Sequence, residues 1–294
     1  MKRFTPHRVV LILPCCIGDV VLATATLKAL RRGYPNARIT WAVGRWSKAA
    51  VEHHDLLDAI LDTGPDALPV RTALGLRRFV RQLRAGRFDL AVSLVRSPWM
   101  SVALRLSGIP HRAGLDSGGR GFGYTIRAKI DPRQPRHEAE IYLDVARALG
   151  LDTTDCWANV PVRDADRASL QARLAANGVT AQSIVVNPAG GRNPGMRMDV
   201  KRWLPENFAA LADRLAARYD RQLVLLAGPG DEPIVSVVQS HLHERVPAFV
   251  GALSFGQMAA LARDAFLYVG NDTGLTHYAA AAGARTVMIL GPSD

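Results

Sequence analysis

Short apolar runs alternate with helical segments along most of this chain, and this alternation limits the folds that it can adopt. The run at 8–13 (RVVLIL) is apolar throughout, which is typical of a strand buried on both faces of a sheet. Residues 20–35 then carry apolar side chains at helical spacing and end at Gly33 and Pro35, a common helix stop. Strands and crossover helices in this order predict an α/β protein with parallel sheets.

The alternation occurs twice. In the first half, further strands are predicted at 37–44, 59–61 and 88–95, with helices at 47–54, 71–85, 98–106 and 136–151. In the second half, strands are predicted at 183–188, 222–228, 248–250, 265–270 and 285–290, with helices at 164–177, 206–218, 231–243, 254–264 and from 273. The glycine-rich stretch 108–136 is predicted to be a mobile loop. The polar stretch 152–161 is predicted to be a linker, so two domains are expected, at 1–160 and 161–294.

The composition permits a folded core and favours anionic partners. Hydrophobic residues make up 48% of the 294 residues, which excludes the composition of a disordered chain. The formal net charge of +11 favours nucleotide phosphates, nucleic acid or an acidic membrane surface. The basic residues are spread along the chain, however, and a solvated basic surface with no partner explains much of the charge equally well.

The start of the chain has some features of a secretory signal, since Lys2 and Arg3 precede an apolar run. Pro14 interrupts that run, and Gly18 and Asp19 follow where it should continue, so no signal is predicted. No run reaches the roughly 18 apolar residues of a membrane-spanning helix.

The cysteines predict neither a metal site nor a disulfide. Cys15 and Cys16 are neighbours, which rarely bond to each other, and Cys156 lies far along the chain. No Cys/His spacing fits zinc. All three are therefore predicted to be free thiols in a reducing compartment.

Polar or glycine-rich motifs directly follow four of the predicted strands, at 18–19, 187–191, 228–232 and 271–274. Ligands of open parallel sheets bind outside the carboxyl ends of the strands. Helix N-termini and glycines there suit a phosphate ester, and Thr273, Thr276, Lys201 and Arg202 add donors. The carboxylates Asp272, Asp231 and Glu232 suit sugar hydroxyls better than a bare anion. Together these groups predict a nucleotide-sugar site.

A structural explanation stands beside each motif. Asp19, Asp272 and Thr273 are residue types that often cap helices. Glycines after strands are often only tight turns, and His277 is placed where histidines often pack. The motifs of P-loop ATPases, dinucleotide-binding dehydrogenases, zinc proteases and α/β-hydrolases are absent.

Four blocks of sequence resemble, in the same order, the bacterial lipopolysaccharide heptosyltransferases (glycosyltransferase family 9), and the heptosyltransferase II type more nearly. The blocks are CIGDVVLATATLKALRRGYPNARI, GIPHRAGL, NPAGGRNPGMRMDVKRWLPENFAAL and GNDTGLTHYAAAAGARTVMILGPSD. The resemblance implies a GT-B fold: two Rossmann-like domains with parallel sheets that face each other across a cleft. It implies that 1–160 binds the acceptor and 161–294 the nucleotide sugar. Family members continue for several dozen residues beyond the GPSD block, so the second domain is expected to lack its C-terminal end.

The resemblance also implies an activity. The expected reaction is inverting, metal-independent transfer of heptose from ADP-heptose to the inner core of lipopolysaccharide on lipid A, with no cofactor. Asp19 would be the general base and Lys201 would neutralise the diphosphate. The nucleotide sugar would be bound by Asn187, Ala189, Gly190, Glu232, Asp272, Thr273, Gly274 and His277. The acceptor would be bound by Gly18, His111 and Arg112.

The same resemblance implies a monomer in the cytoplasm that contacts the anionic inner face of the inner membrane and binds no nucleic acid. Two alternatives stay open. One is a GT-B nucleotide-sugar enzyme with another reaction, such as an epimerase, or with another acceptor. The other is a non-catalytic binder of nucleic acid or anionic lipid, which the low aromatic content of 6% disfavours.

Overall fold

The protein is described by a computed structural model over residues 4–180 and 182–291. It divides into two compact units between Ala158 and Asn159. Each unit has a parallel sheet with helices, so the predicted α/β class with two parallel sheets is confirmed. No helix in these residues is both long enough and apolar enough to cross a membrane.

The first unit contains a six-stranded parallel sheet. Its strands are β1 (Arg8–Ile12), β2 (Arg38–Val43), β3 (Ala59–Asp62), β4 (Leu90–Ser93), β5 (His111–Ser117) and β6 (Ile126–Ile130). Its helices are α1 (Ile17–Leu22), α2 (Thr24–Gly33), α3 (Arg45–Lys48), α4 (Ala73–Gly86), α5 (Pro98–Ser107) and α6 (Glu138–Ala148). The strand order is β3-β2-β1-β4-β5-β6.

This order reverses direction beside β1. The chain moves from β1 outward to β3, then crosses to β4 on the other side of β1. Right-handed crossovers in opposite directions place their helices on opposite faces of the sheet. On this rule α4 and α5 cover one face and α2 covers the other, where the small residues Ala25 and Ala29 pack against Leu143 and Ala146 of α6. The carboxyl ends of β1 and β4 therefore border a topological switch point, where such sheets bind ligands.

The second unit repeats this plan. Its main-sheet strands are β7 (Ile184–Asn187), β10 (Leu223–Ala227), β11 (Ala248–Val250), β12 (Leu267–Asn271) and β13 (Thr286–Ile289), and a small antiparallel hairpin is formed by β8 (Arg192–Asn193) and β9 (Met196–Arg197). Its helices are α7 (Asp164–Ala176), α8 (Pro205–Tyr219), α9 (Glu232–His241), α10 (Phe255–Asp264) and α11 (Gly274–Ala281). The main-sheet order β11-β10-β7-β12-β13 reverses beside β7. The switch point of this unit therefore lies between the carboxyl ends of β7 and β12.

Two predictions about local structure are wrong. The stretch 108–136 contains the strands β5 and β6 rather than only a mobile loop. In β5, the ring of Tyr124 lies where a side chain of residue 114 would project, so Gly114 permits close packing of the strand against that ring. The single helix predicted at 20–35 is two helices, which meet at Ala23.

Candidate active site

Two buried asparagines hold the strand ends at the switch point of the second unit. Asn187 ends β7, and its side chain accepts a hydrogen bond from the Ala189 amide (3.2 Å) and donates one to the Tyr268 hydroxyl (3.0 Å). Asn271 ends β12. Its side chain donates a hydrogen bond to the Pro188 carbonyl (2.9 Å) and accepts one from the Trp203 backbone amide (2.9 Å). These bonds tie the loop after β7 to the end of β12, so the two predicted motifs are brought together.

Asp272 follows β12 directly and is bonded to two basic side chains. Its Oδ2 lies 2.8 Å from Nζ of Lys201, and its Oδ1 lies 3.1 Å from Nε2 of His277. Only 14% of the Asp272 side chain is exposed, so the ion pair is largely shielded from water. Lys201 ends a short 3₁₀ helix at Asp199–Lys201, which the sequence did not predict. The structure therefore brings together Lys201, Asp272 and His277 from separate segments.

The capping explanation for this motif has no support in the structure. The N-cap of α11 is Thr273, but its side chain makes no capping hydrogen bond. Its Oγ1 lies instead 3.4 Å from Oγ1 of the fully buried Thr276. The helix begins at Gly274, so its first-turn amides and their partial positive charge are at the edge of the sheet beside Asp272.

Gly190 makes a close approach between the loop after β7 and α11 possible. Its φ of +113° is in the region that favours glycine, and a side chain on it would overlap the side chain of Thr273. Its carbonyl accepts a 2.7 Å hydrogen bond from Nε of Arg202. Gly190 is thus needed for contact with Thr273 as well as for the turn.

The motif after β10 lies beside the guanidinium groups of Arg192 and Arg202. Arg192 donates to the carbonyl of Gly230 (2.9 Å), and Nη2 of Arg202 lies 3.9 Å from Oδ1 of Asp231. Burial raises the pKa of the Asp231 carboxyl, against the opposing effect of Arg192 and Arg202. Glu232, the predicted ligand, is exposed at the first turn of α9 and accepts a 3.4 Å hydrogen bond from the Gly230 amide.

In the first unit, Asp19 lies in α1 just beyond the end of β1. Its Oδ1 accepts a 2.9 Å hydrogen bond from the Tyr142 hydroxyl, and its Oδ2 accepts a 3.4 Å bond from the Cys16 amide. Tyr142 belongs to α6 and is buried. Burial raises the pKa of Tyr142 well above its usual value, and the negative charges of Asp19 and Glu138 raise it further, so the phenol remains a donor.

Asp19 lines a cavity of about 260 Å³ at the switch point of the first unit. The cavity also contacts Leu94 and Val95, which follow β4, and the charged pair Arg96 and Glu138. Nη2 of Arg96 donates to both oxygens of Glu138 (2.8 and 2.7 Å), while its buried Nε has no hydrogen-bond partner in the described residues. The cavity is thus lined by a carboxylate, a phenol and an arginine–glutamate ion pair.

Cys15 also lines this cavity, and its sulfur is bonded to that of Cys16 across a cis peptide bond. The prediction of three free thiols is therefore wrong for these two residues. Cys156 is a free, buried thiol, as predicted.

The three predicted acceptor-binding residues are not brought together. Gly18 is in α1 next to Asp19. His111 and Arg112 begin β5, at the opposite edge of the parallel sheet, where the His111 ring packs on Phe4. The Arg112 guanidinium donates to the carbonyls of Ile109, Pro110 and Gly123. The prediction that His111 and Arg112 bind an acceptor stays a prediction without support from this geometry.

Sequence reasoning missed Tyr142, Arg96 and Glu138. A weak signal was present, because Glu138 and Tyr142 are four residues apart on one face of a helix that is otherwise apolar there. Within residues 4–180 and 182–291, no group of three or more His, Cys, Asp or Glu side chains could hold a metal ion.

Comparison with known proteins identifies relatives along nearly the whole chain. The family model of glycosyltransferase family 9 (heptosyltransferase) matches residues 76–294. Lipopolysaccharide heptosyltransferase 3 of Escherichia coli is 24% identical over 283 residues, which cover 94% of this chain and 81% of that protein. Lipopolysaccharide heptosyltransferase 2 of Escherichia coli K12 is 25% identical over 302 residues, which cover 98% of this chain and 83% of that protein.

Solved structures of similar proteins share the fold, and two of them illustrate this similarity. A glycosyl transferase family 9 protein from Veillonella parvula has a TM-score of 0.84 at 24% identity, covering 100% of this chain and 83% of that one. The ADP-heptose lipopolysaccharide heptosyltransferase II of Escherichia coli has a TM-score of 0.79 at 22% identity, covering 98% of this chain and 86% of that one. Both likenesses agree with the expected GT-B class.

Proposed function

Because the chain belongs to glycosyltransferase family 9, the heptosyltransferases, we propose that it transfers heptose from ADP-heptose to the inner core of lipopolysaccharide on lipid A, with inversion and without a metal. Family membership makes it a glycosyltransferase; the donor, the acceptor and the course of the reaction are proposed. The observation that carries the proposal is the position of Asp272, held between Lys201 and His277 at the switch point of the second unit.

The second unit is proposed to bind the donor. An ammonium group has three N–H donors, so Lys201 can keep its bond to Asp272 and still bind a diphosphate oxygen. The first-turn amides of α11, beginning at Gly274, add partial positive charge. Carboxylate oxygens at Glu232 and Asp272 are acceptors for ribose or heptose hydroxyls, and His277 orients Asp272. Asn187, Ala189, Gly190 and Thr273 give the proposed donor site its shape.

The first unit is proposed to bind the acceptor and to supply the base. In a single displacement the acceptor hydroxyl attacks the anomeric carbon, the bond from that carbon to the diphosphate oxygen breaks, and ADP leaves. The hydroxyl proton passes to the carboxylate of Asp19, which lines the cavity at the end of β1. Lys201 and the amides of α11 stabilise the charge that develops on the departing diphosphate.

The proposed acceptor is a phosphorylated glycolipid, which places the enzyme in the cytoplasm at the inner face of the inner membrane. The net charge of +11 supports contact with an anionic surface. We expect the enzyme to act as a monomer.

Nucleotide selectivity and product analysis test this function. Thermal shifts with ADP, UDP, GDP and NAD should show selective stabilisation by ADP, because only a nucleotide that binds the folded state raises Tm. Incubation with ADP-heptose and a lipid A–core acceptor should then yield ADP and extended acceptor in equal amounts. If the protein isomerises the sugar in the absence of acceptor, the proposed transfer is wrong and the protein is an epimerase. If no nucleotide raises Tm, the proposed donor site is wrong.

A further inference from the structure

The outer surface of α4 and α5 combines exposed apolar side chains with arginines. We call this surface the α4–α5 face and define it by six residues: Leu74, Arg77, Arg81, Trp99, Arg105 and Leu106. The two helices lie side by side on one face of the first sheet. Nη2 of Arg84 in α4 donates a 2.8 Å hydrogen bond to the Leu106 carbonyl at the end of α5, which joins the two surfaces.

The apolar members of this face are large and strongly exposed. The exposed fractions are 75% for Leu74, 59% for Trp99 and 49% for Leu106. Trp99 and Leu106 are about two helical turns apart and therefore lie on the same side of α5. Such residues occur singly on most protein surfaces, but apolar residues gathered on one side of a helix mark an interaction site.

The charged members of the face are all basic. Arginine is the only charged residue type in α4 and in α5. Over residues 4–180 and 182–291, no acidic side chain forms an ion pair with Arg77, Arg81 or Arg105. Asp89, the acidic residue nearest to Arg81 in sequence, is bonded instead to the backbone amides of His7 and Arg8. No acidic side chain of α4 or α5 therefore neutralises the positive charge of the face.

This combination fits the headgroup region of a bilayer. Trp and Leu side chains bury in the boundary between headgroups and acyl chains, and adjacent arginines bind anionic headgroups. A nucleic acid would neutralise the arginines but would gain little from Leu74 and Leu106, since single strands stack on aromatic side chains. The charge and the aliphatic residues together favour a lipid surface.

We propose that the α4–α5 face docks the protein on an anionic lipid bilayer, with Trp99 and Leu106 in the interfacial layer and the arginines on the headgroups. The purpose of this docking rests on the proposed function, because a lipid-anchored acceptor is met at such a surface. The binding itself needs neither donor nor acceptor.

Vesicle sedimentation tests the docking. Wild type should bind vesicles of phosphatidylglycerol and phosphatidylethanolamine at least about tenfold more strongly than vesicles of phosphatidylcholine. The double variant Trp99→Ser/Leu106→Ser should bind the anionic vesicles about tenfold more weakly because its interfacial anchors are lost. The double variant Arg77→Gln/Arg81→Gln should also bind them about tenfold more weakly, and added salt should weaken wild type in the same way.

Matched controls are available elsewhere in the chain. Trp157 is 70% exposed outside the face, and Arg214 and Arg218 are exposed on α8 with the same spacing as Arg77 and Arg81. Trp157→Ser and Arg214→Gln/Arg218→Gln should bind vesicles as wild type does. Circular dichroism and Tm of all variants verify that each is folded.

Several outcomes would overturn the docking surface. The first is equal binding of wild type to both vesicle types, and the second is an equal loss of vesicle binding in the face variants and in their controls. The third is that the face variants lose binding to single-stranded RNA but bind vesicles as wild type does. Transfer to a lipid-free acceptor oligosaccharide separates this proposal from the proposed function, and the face variants should retain it. If no form of the protein transfers heptose while vesicle binding still depends on Trp99 and Leu106, the proposed function fails and the docking surface stands.

Discussion

The Tyr142 hydroxyl donates a 2.9 Å hydrogen bond to Oδ1 of Asp19, across 123 residues of sequence. Burial raises the pKa of Tyr142, as do the charges of Asp19 and Glu138, so the phenol stays protonated throughout the range in which a carboxylate base works. A donor bonded to a carboxylate stabilises its charged form and fixes its orientation. Tyr142 is therefore a positioning residue for the proposed base.

Tyr142→Phe should lower kcat by about tenfold, the size expected for one hydrogen bond to a charged group. KM for the donor should not change, because Tyr142 lies in the first unit. Loss of the donor should also move the acid limb of the pH–rate profile to higher pH, since the Asp19 carboxylate is then protonated more readily. The measurement is kcat and kcat/KM from pH 5 to 9.

Two controls separate positioning from general damage. Tyr219→Phe removes a hydroxyl from a half-exposed ring in the second unit and should change nothing. Asp19→Asn should lose about 10² in rate while keeping the ADP thermal shift, and Tyr142→Phe should cost nothing more in that background. A lower kcat in Tyr142→Phe with an unmoved pH profile would contradict the positioning role.

Sequence patterns were sufficient for most strands of the two main sheets and for the position of two carboxylates at strand ends. Carboxyl ends of parallel strands share one edge, so motifs after strands could be placed there without coordinates, as Asp19 and Asp272 were. The partners of these carboxylates could not be placed in this way. Tyr142 reaches Asp19 only through the packing of α6, and Lys201 reaches Asp272 only through a short 3₁₀ helix.

The missed strands β5 and β6 show a second limit. Glycine was interpreted as a sign of mobility, but Gly114 is packed under the Tyr124 ring and Gly123 against the backbone of Ser101. Whether a glycine makes the backbone mobile or allows close packing depends on which neighbour occupies the place where a side chain would be. That neighbour is not adjacent in sequence.

Lys201→Met should reduce both donor binding and transfer. The variant removes the ammonium beside Asp272 and should lower the rate by about 10²–10³ if Lys201 stabilises the departing diphosphate. It should also remove the positive charge that pairs with the Asp272 carboxylate, and so lower the free energy of unfolding by about 1–3 kcal/mol. The measurements are transfer rate, the ADP thermal shift and Tm.

Lys48→Met is the matched control, because Lys48 at the end of α3 makes only a half-exposed 3.6 Å ion pair with Glu52 and should be neutral in all three measurements. Lys201→Arg keeps the charge and should restore part of the ADP thermal shift. If Lys201→Met lowers only Tm and leaves the rate unchanged, Lys201 acts on structure alone.

Asp231→Asn should stabilise the protein at neutral pH. Burial raises the pKa of the folded carboxyl above its unfolded value, so the wild type loses stability as pH rises through the interval between the two. Its Oδ1 has no hydrogen-bond partner in the described residues, which leaves the charged form poorly compensated. The Tm advantage of the variant should be present at pH 7.5 and should disappear below about pH 4, near the unfolded value. An advantage that grows on acidification would show that Arg192 and Arg202 dominate instead.

Gly190→Ala tests whether close contact at the donor loop matters apart from backbone conformation. A methyl group there would overlap Cγ2 of Thr273, so the loop after β7 must move away from the start of α11. Gly178→Ala is the control, because Gly178 also has a positive φ (+63°) but has no atom within 4 Å of the added carbon. We expect about 1 kcal/mol of destabilisation in Gly178→Ala from strain alone, and about 2–4 kcal/mol with a smaller ADP thermal shift in Gly190→Ala from strain and overlap together. Equal Tm losses and an unchanged ADP response in both variants would mean that the contact with Thr273 does not shape the donor site.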